Sequence, residues 1–440
     1  MRVLLVQTPS VETVSSEKVY PLGIVRLAGT ARKEGHAVSV LDMNLSVDPF
    51  GALKERLREF EPDAVGLSLR NIDPLGNKST SLVIPFVAAV RLVRALAPEA
   101  VIIAGGTGFS LFPERIMREA PEIRFGIVGE AEESFPQILA SLDNPPSVKG
   151  LCYRDKETVV TIPPGSGLDM SRYVPCDTDF LDPSLYRGVN AYVPAMGIEG
   201  KRGCPYACAY CVYPALQGRV SRCRQPSSVV DEMEVLHKEH GINSFHFTDP
   251  VLNTPVGHLE GICEELLRRR LAVRWDGFMR EDSLSEEKVS LFERAGCECF
   301  SFSPDGLCDE ALKVLAKGIT KADILKAARI VSRTDVTCVY HFLVNVPGET
   351  QGTAAKAGEL IEELYALHSR KRNLGTIVLN NIRILPGTGI EAHARAQGIL
   401  RPESDLLYPT YYNPPPFETL RYRLETLHVC KNVFMWQGVE

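Results

Sequence analysis

The sequence predicts an α/β protein in which a doubly wound parallel-sheet domain precedes a second domain of β-α units and a short C-terminal tail. Three observations support this prediction. Short runs of aliphatic and β-branched residues alternate with helical patterns, and these runs are continuously apolar, as in strands buried on both faces of a parallel sheet. The composition, 45% apolar and 24% charged, is that of an ordinary globular protein. The 440 residues are enough for two or three domains.

Five strand–helix pairs are predicted in the first domain, residues 1–145. The predicted strands are residues 2–7, 37–43, 64–69, 100–106 and 125–130, and the helices are 22–34, 51–60, 82–97, 111–119 and 131–142. Five such units form a doubly wound, Rossmann-like sheet, which binds ligands beyond the carboxyl ends of its strands. We therefore expect binding residues where these strands end.

Residues 146–190 lack long periodic runs and are interpreted as a linker. In residues 191–400 the alternation resumes, with strands at 243–248, 272–278, 299–303, 337–344 and 376–384 and helices at 227–239, 256–270, 285–295, 321–333 and 354–368. A turn rich in cysteine adds a sixth unit, which is short of the eight of a complete barrel. Residues 401–440 are a C-terminal extension, expected to pack back as a helix and a short strand-like segment.

Composition also excludes several classes of protein. A net charge of −6 and a pI near 5.9 argue against a nucleic-acid or anionic-membrane partner. The N-terminus lacks the apolar core of a secretory signal, and the longest apolar run, residues 82–90, is half a membrane span. The twelve cysteines are too dispersed for a secreted disulfide framework, which indicates reduced thiols. We expect a cytoplasmic protein.

Three of these cysteines lie within eight residues of KRGCPYACAYCVYP (201–214), in the spacing C-x3-C-x2-C: Cys204, Cys208 and Cys211. A structural zinc site needs four ligands, usually in C-x2-C pairs, and the next thiol, Cys223, is twelve residues away. The glycine and proline beside them indicate a loop, which disfavours a chance grouping of core thiols. A four-iron cubane held by three thiolates, with one iron left open to a small molecule, is the remaining interpretation.

This spacing, with Tyr210 directly before the last cysteine, resembles the signature of the radical S-adenosylmethionine (SAM) superfamily. The resemblance implies a 4Fe-4S cluster whose open iron binds the amino and carboxylate groups of SAM. It also implies reductive cleavage of SAM to a 5′-deoxyadenosyl radical, with a flavodoxin- or ferredoxin-type electron donor. The fold implied is a partial (β/α)6 barrel of TIM type, in agreement with the six predicted units.

Further segments resemble the superfamily in the expected order: FHFTDPVLN (245–253), FMREDSLS (278–285), LAKGITKADI (315–324), FLVNVPGET (342–350) and RILPGTGI (383–390). Each alone is typical of an ordinary loop, and their joint order supports the resemblance. One departure is SFSPDG (301–306), where many relatives have G-x-E-S-G and an aspartate stands in for the glutamate. The SAM contacts implied are Tyr210, Asp249, Arg280, Asp305, Asn345, Pro347, Gly348, Leu385 and Pro386.

The cysteine count separates subfamilies. Methylthiotransferases carry a second cluster on three N-terminal cysteines, and residues 1–151 contain none. Auxiliary clusters in a C-terminal extension are also excluded, because only Cys430 follows Cys338. Four further thiols are predicted to behave as small hydrophobic side chains in the core: Cys297, Cys299, Cys308 and Cys338.

The first domain resembles the cobalamin-binding domain that precedes many radical SAM enzymes, through the blocks at 20–44, 104–114 and 126–139. Glycines after parallel strands let backbone approach a bulky flat ligand. The alternative, a nucleotide-binding domain, needs G-x-G-x-x-G after the first strand, and VQTPSVE (6–12) has no glycine. The cobalamin contacts expected are Thr8, Pro9, Leu22, Ser68, Arg70, Asn71, Gly105, Gly106, Thr107, Gly129 and Glu130.

The sequence also predicts how cobalt is ligated. Cobalamin proteins with a D-x-H-x-x-G motif ligate cobalt through its histidine, but His36, at the start of a strand, is the only histidine before residue 237. The lower cobalt face is therefore expected to lack a histidine ligand. We hypothesise that Arg70, at the end of the third strand, approaches that face; alternatively it pairs with Asp73 or with a cobalamin phosphate or amide.

The resemblance implies a methyltransferase that moves a methyl group from SAM through methylcobalamin to an unactivated carbon of a small molecule bound between the two domains. Alternatives are rearrangement, cyclisation or oxidation with the same cofactors, polar methylation without a substrate radical, and a cobalamin sensor with a degenerate barrel. The aromatic residues considered to line the substrate site are Tyr192, Tyr206, Tyr213, Trp275 and Tyr340.

Overall fold

The computed structural model describes residues 1–9, 18–74, 80–143, 147–187, 190 and 193–435. These form two compact units, the first reaching from the N-terminus to Met196 and the second beginning at Gly197, with the short stretch His240–Ile242 belonging to the first. Within the described part of the chain, no helix combines the length and the apolar character needed to cross a bilayer.

The described residues of the first unit form seven strands and six α-helices. The strands are β1 (Arg2–Gln7), β2 (Ala37–Asp42), β3 (Ala64–Ser68), β4 (Val101–Gly105), β5 (Phe125–Ile127), β6 (Leu151–Asp155) and β7 (Thr158–Thr161). The helices are α1 (Leu22–Lys33), α2 (Pro49–Phe60), α3 (Val83–Leu96), α4 (Thr107–Leu111), α5 (Pro113–Glu119) and α6 (Ser134–Leu139). The predicted α/β class is confirmed.

These strands form one sheet in the order β2-β1-β3-β4-β5-β6-β7, in which β1 to β5 are parallel. The strand order reverses between β1 and β3, as in other doubly wound sheets that bind flat ligands at that point. β1 and β3 are almost fully buried, which explains their continuous apolar sequences. The crevice at the carboxyl ends of β1 and β3 is therefore the expected ligand site.

The segment predicted as a linker, residues 146–190, is partly regular structure. β6 pairs antiparallel with β5, and β7 pairs antiparallel with β6, so a hairpin extends the first sheet. The strands are short and their ladder is antiparallel, so they lack the long apolar runs by which the parallel strands were recognised. The short β-branched run TVVT was the available signal.

A second difference concerns the helix predicted at 111–119. The structure has two short helices instead, α4 directly after β4 and α5 beginning at Pro113. Proline has no backbone N–H and is favoured in the first helical turn. It therefore ends α4 and starts α5, which keeps the backbone of Thr107–Leu111 at the strand end.

In the part of the second unit that the structure describes there are ten strands and nine α-helices. The strands are β8 (Gly197–Ile198), β9 (Lys201–Arg202), β10 (Arg222–Cys223), β11 (Ser244–Phe247), β12 (Arg274–Met279), β13 (Cys297–Asp305), β14 (Thr337–Leu343), β15 (Leu374–Asn380), β16 (Ile382–Arg383) and β17 (Tyr411–Tyr412). The helices are α7 (Tyr213–Gln217), α8 (Pro226–His240), α9 (His258–Arg269), α10 (Glu286–Arg294), α11 (Asp309–Val314), α12 (Lys321–Val331), α13 (Gln351–His368), α14 (Gly389–Ala396) and α15 (Leu420–His428).

Six of these strands form a parallel sheet in the order β8-β11-β12-β13-β14-β15. Helices follow the strands, and several begin with a hydroxyl cap that bonds a first-turn N–H: Ser285, Thr320, Thr350 and Thr388. The strand count and order agree with a partial barrel. Two small antiparallel pairs, β9 with β10 and β16 with β17, lie outside this sheet.

The C-terminal tail packs back as predicted. α15 is followed by a segment that pairs with β15, since Ile377 N–H donates to Asn432 and Phe434 N–H donates to Ile377, each at 2.8 Å. The tail therefore covers the edge of the sheet, where unpaired backbone groups would otherwise be exposed.

Candidate active site

The three clustered cysteines lie on a loop that leaves β9. Cys204 N–H donates to the carbonyl of Gly218 at 3.0 Å, and Ala209 N–H donates to that of Leu315 at 2.9 Å. The carbonyl of Ala209 accepts from Ile390 N–H at 3.0 Å. The loop is thus bonded to two of the segments that the sequence singled out, LAKGITKADI and RILPGTGI.

Gly203 explains how the chain turns into this loop. Its φ is +88°, a conformation that residues with a Cβ rarely adopt. A Cβ there would lie 2.1 Å from the carbonyl oxygen of Val220. Only glycine is compatible with this close approach, which places Cys204 at the start of the loop.

A buried ion pair lies next to the start of the same loop. Lys201 Nζ lies 2.9 Å from Asp249 Oδ2, and the two side chains are 1% and 0% exposed. Asp249 Oδ1 also accepts from the backbone N–H groups of Gly200 and Lys201, at 2.7 and 3.1 Å. The carboxylate expected to contact SAM therefore already has three donors, and its role towards SAM stays a prediction.

The three thiols differ in burial, and their pKa values are raised. Cys204 is buried, while Cys208 and Cys211 are half-buried. Burial, with a smaller contribution from the neighbouring thiols, raises the pKa of Cys204 and raises that of Cys211 to about 11. Iron ions of a cluster, when bound to the sulfur atoms, would replace the thiol protons.

Among the described residues, no three Cys, His, Asp or Glu side chains converge on one point. A cubane does not need such convergence, because each cysteine ligates a different iron. The donor set therefore fits a 4Fe-4S cluster.

Beside the cysteines, three side chains from separate predicted segments meet. Asp305 Oδ2 accepts hydrogen bonds from the Tyr210 hydroxyl and from Lys317 Nζ, the latter at 2.5 Å. Lys317 Nζ also lies 3.3 Å from the Tyr210 oxygen. Burial opposes the charge of Lys317, but Asp305 and Glu281 outweigh it and raise the pKa of this lysine. The structure brings Tyr210 and Asp305 together as neighbours of the cysteine loop.

Arg280, at the end of β12, is fixed by four contacts. Its guanidinium bonds Asp282 at 2.8 Å and the carbonyl of Lys317 at 2.9 Å. Its backbone N–H donates to Asn253 at 2.9 Å. The guanidinium also lies 3.8 Å from the ring centroid of Tyr206, a cation–π geometry. Arg280 therefore joins the same cluster, with its position determined before any ligand binds.

Glu281 is an unexpected member of this cluster. Its side chain is 3% exposed, and neither carboxyl oxygen has a hydrogen-bond partner in the described part of the chain. Burial raises its pKa to about 7, against the opposing charge of Lys317. Buried carboxyl groups without partners are rare, so Glu281 marks the interior of this site as a place for a ligand or a proton.

The glycine-rich turns hold the remaining residues expected to contact SAM. Asn345 is 1% exposed and donates to Asn413 and to the carbonyl of Pro414, at 2.7 and 2.8 Å. Gly348 has a φ of +83° and is exposed. The others are the buried Pro347 and the half-buried Leu385 and Pro386. The structure places these turns after β14 and β16, and their SAM contacts stay predictions.

The aromatic residues considered for the substrate site have different environments. Trp275 and Tyr340 are fully buried and contact Phe292 of α10 and His368 of α13. They pack between the sheet and these helices, on the helix-covered face of the sheet, and a role in lining the substrate site stays a prediction for them. Three other aromatics complete the set: Tyr206 under Arg280, the exposed Tyr213 in α7, and Tyr192, outside the described residues.

In the first unit, the residues expected to bind cobalamin lie at the carboxyl ends of adjacent strands. Thr8 Oγ donates to the carbonyl of Ser68 at 2.8 Å, and Leu69 N–H donates to Gly105 at 2.9 Å. The ends of β1, β3 and β4 are thereby linked side by side. Pro9 and Asn71, which follow β1 and β3 in sequence, are half-buried, as is Leu22, the first residue of α1.

Two glycines after β4 create the close backbone approach that a flat ligand needs. Gly106 has a φ of +99°, and a Cβ there would lie 2.5 Å from the carbonyl oxygen of Leu69. Among the described residues other than its chain neighbours, none has an atom within 4 Å of the position that a Cβ on Gly105 would take. One glycine thus permits the turn and the other leaves open space, which fits a corrin at this edge.

Other predicted cobalamin residues support the loops around this edge. The Thr107 hydroxyl donates to the carbonyl of Arg70. Gly129 N–H donates to Ser110 at 3.0 Å, and the Glu130 carboxylate accepts from the backbone of Leu168 at 2.7 Å. Thr107 and Glu130 therefore have structural partners as well, and their contacts with cobalamin stay predictions.

The position of His36 agrees with its exclusion as a cobalt ligand. It precedes β2, whose first residue, Ala37, is paired with Arg2 at the start of β1. His36 is therefore at the amino-terminal edge of the sheet, opposite Thr8 and Gly105. Arg70 is exposed and follows β3 by two residues, and its approach to the lower cobalt face stays a hypothesis.

Several residues of the site were missed by sequence reasoning. Lys317 was not predicted, although it lies in the recognised K-G-x-T segment, and that motif was enough to identify it as a site residue. Glu281 lies beside Arg280, but nothing in the sequence shows that it is buried without a partner. His246 and Asp276, which form a hydrogen-bonded pair at 2.6 Å, are separated by 30 residues and gave no signal.

Comparison with known proteins identifies both units. The B12 binding domain family matches residues 11–139, and the radical SAM superfamily matches residues 198–361. An uncharacterised methyltransferase of Pyrococcus horikoshii is 24% identical over 358 residues, which cover 80% of this chain and 75% of that protein. An anaerobic magnesium-protoporphyrin IX monomethyl ester cyclase of Synechocystis is 25% identical over 350 residues, covering 76% and 67%.

A solved structure resembles the chain over most of its length. The radical SAM methyltransferase TsrM from Kitasatospora setae has a TM-score of 0.77 and 25% identity, covering 90% of this chain and 78% of that one. The two family matches follow one another in the order of the two structural units. The chain therefore belongs to the cobalamin-binding radical SAM enzymes.

Proposed function

We propose that this protein is a methyltransferase that moves a methyl group from SAM, with cobalamin as carrier, to a carbon of a small-molecule acceptor. The observation that carries the proposal is the presence in one chain of both an anchored three-cysteine loop and an open glycine edge at the carboxyl ends of a doubly wound sheet. The first provides a radical-generating site and the second a place for the corrin.

Different residues of the chain would hold the two cofactors. Cys204, Cys208 and Cys211 would hold the 4Fe-4S cluster, and the strand-end residues from Thr8 to Glu130 would hold cobalamin. When bound, the cluster with SAM supplies a hydrogen-abstracting radical and the corrin supplies the transferable methyl group. Tyr210, Asp305 and Lys317 form a hydrogen-bonded cluster beside the cysteines, which presents polar groups of both signs to a zwitterionic amino acid such as SAM.

The related proteins support this direction. TsrM is described as a methyltransferase with cobalamin and a [4Fe-4S] cluster, and a second structure of it contains tryptophan as substrate and a SAM analogue. A small, polar acceptor is therefore the class we propose here. Reductive cleavage of SAM needs one electron, and we propose a flavodoxin- or ferredoxin-type protein as its source.

Cyclisation is a second candidate, favoured by the 25% identity to the magnesium-protoporphyrin ester cyclase, which is close to the 24% identity to the methyltransferase of Pyrococcus horikoshii. Both reactions use the same cofactors, so the site residues described above do not separate them. The products formed from SAM distinguish the two reactions. Methyl transfer consumes the methyl group and leaves S-adenosylhomocysteine, whereas cyclisation leaves only 5′-deoxyadenosine and methionine.

The decisive experiment uses anaerobically reconstituted enzyme with cobalamin, a reductant and SAM whose methyl group is deuterated. Candidate acceptors are added, and both nucleosides and methylated products are measured by mass spectrometry. Radical methylation predicts S-adenosylhomocysteine and 5′-deoxyadenosine in equal amounts, with a deuterated methyl group in the product. Deoxyadenosine with an unmethylated, altered acceptor would support cyclisation, and S-adenosylhomocysteine alone would support polar methylation.

A further inference from the structure

The two faces of the six-stranded sheet differ in chemistry. On one face, Phe247, Trp275 and Tyr340 are fully buried, and Trp275 and Tyr340 contact helices α10 and α13. Successive side chains of a strand point to opposite faces, so the alternate positions form the inner face of the partial barrel. These inner positions are only partly buried, as the alternating burial of β11 and β14 shows.

A histidine–aspartate pair lies on this inner face. His246 on β11 is the register partner of Asp276 on β12, and Nδ1 of the imidazole lies 2.6 Å from the carboxylate. The side chain of Asp276 is 4% exposed and that of His246 is 16% exposed. A buried carboxylate that accepts from Nδ1–H fixes the tautomer and leaves the lone pair on Nε2. Within the described part of the chain, no residue bonds Nε2.

Aromatic rings continue this surface. The ring of Phe278 lies 6.1 Å from that of His246 and 5.5 Å from that of His341, in edge-on geometry. Burial lowers the pKa of His341 to about 4, so this second imidazole is neutral near pH 7. A hydrogen-bond acceptor bordered by uncharged rings is suited to a flat molecule that donates an N–H or O–H group.

We propose that His246, held by Asp276, is the specificity-determining residue for the methyl acceptor, and that this acceptor is a planar, unsaturated ring with an N–H or O–H donor. The proposal rests on the proposed function, because it concerns the molecule that receives the methyl group. Asp276 is the positioning residue. Phe278 and the neutral imidazole of His341 supply the uncharged aromatic wall against which the ring lies.

The proposal is tested by the binding of two probes that differ in whether the ring nitrogen carries a hydrogen or a methyl group. Indole and 1-methylindole are titrated by calorimetry into holoenzyme with measured iron, sulfide and cobalamin. A hydrogen bond to Nε2 predicts that indole binds about fivefold or more tightly than 1-methylindole. His246→Phe is expected to abolish this preference. Asp276→Asn is also expected to abolish it, because the amide can donate to Nδ1 and turn Nε2 into a donor.

The control is His237→Gln, which removes an imidazole from helix α8 and should leave the ratio of dissociation constants unchanged. Circular dichroism and cluster content show whether each variant is folded. A wild-type enzyme that binds neither probe or binds both equally, or variants that retain the indole preference, would overturn the proposal. No turnover is needed, so failure of methyl transfer, measured in parallel as S-adenosylhomocysteine, is a separate outcome.

Discussion

Replacing Glu281 by glutamine tests whether burial controls the ionisation of this carboxyl group beside Asp305 and Lys317. The carboxyl group is 3% exposed, and its oxygens have no hydrogen-bond partner in the described structure. Burial raises its pKa to about 7, with Lys317 opposing the shift. The folded state therefore prefers the protonated acid over a pH range in which the unfolded chain is ionised.

The sign and size of the effect follow from linkage. Below the unfolded pKa, about 4.3 for glutamate, both states are protonated and Glu281 adds no pH dependence. As the pH rises towards 7, the unfolded chain releases a proton that the folded chain keeps, so stability falls. Above pH 7 the loss is complete, and the difference between the folded pKa of about 7 and the unfolded pKa of about 4.3 corresponds to roughly 3–4 kcal/mol. Glu281→Gln removes this titration and should be more stable than the wild type at pH 8, by up to this amount.

Urea unfolding of the cluster-free proteins at pH 5, 6.5 and 8, followed by tryptophan fluorescence, measures this difference. The gap between Glu281→Gln and the wild type should be near zero at pH 5 and largest at pH 8. Glu239→Gln, an exposed position on α8, is the matched control and should show no gap at any pH. An equal gap at pH 5 and pH 8 would refute the reasoning, because the effect would then not come from ionisation.

Three further predictions follow from the structure. Changing all three cluster cysteines to alanine should abolish the resonance of the reduced 4Fe-4S cluster in electron paramagnetic resonance spectra, whereas Cys430→Ala, at an exposed thiol, should leave it intact. Asp249→Asn leaves Lys201 as an unpaired buried cation and should lower the free energy of unfolding by about 3–5 kcal/mol; a loss below 1 kcal/mol in urea titrations would contradict the buried pair. Gly106→Ala forces a Cβ against the backbone and should greatly reduce cobalamin bound after gel filtration, unlike Gly352→Ala in α13.

The strands were predictable because each has a strong local signal. β14, predicted at 337–344, spans Thr337–Leu343, and β2, predicted at 37–43, spans Ala37–Asp42. Such strands are continuous apolar runs bounded by turns, and buried parallel strands require that pattern. The hairpin of β6 and β7 has no comparable run, so the sequence indicated only a linker there.

The side-chain contacts of the site were less predictable, because they join distant parts of the chain. Tyr210 and Asp305 are 95 residues apart, and Tyr210 and Lys317 are 107 residues apart. The motifs gave their order along the chain, and the barrel topology gave the common edge at which they end. The pairing of donors with carboxylates depends on backbone turns, such as the turn at Asp305. The φ of Asp305 is +66°, which is unusual for a residue with a side chain.

The orientation of the strands shows why the polar inner face escaped prediction. From the sequence alone, Trp275 on β12 looks like a ligand-facing residue and Asp276 like an isolated charge. Successive residues of a strand point to opposite faces, so an assignment that is wrong by one residue exchanges the two faces. Helices cover the Trp275 face, which must be apolar and closely packed, whereas a six-stranded sheet does not close on itself as eight strands do. The inner positions of β11 and β14 therefore keep partial exposure, and the partly exposed His246 gives the buried carboxylate of Asp276 a hydrogen-bond partner. Polar chemistry can accumulate on this face because the barrel is incomplete, and only the three-dimensional structure shows which face that is.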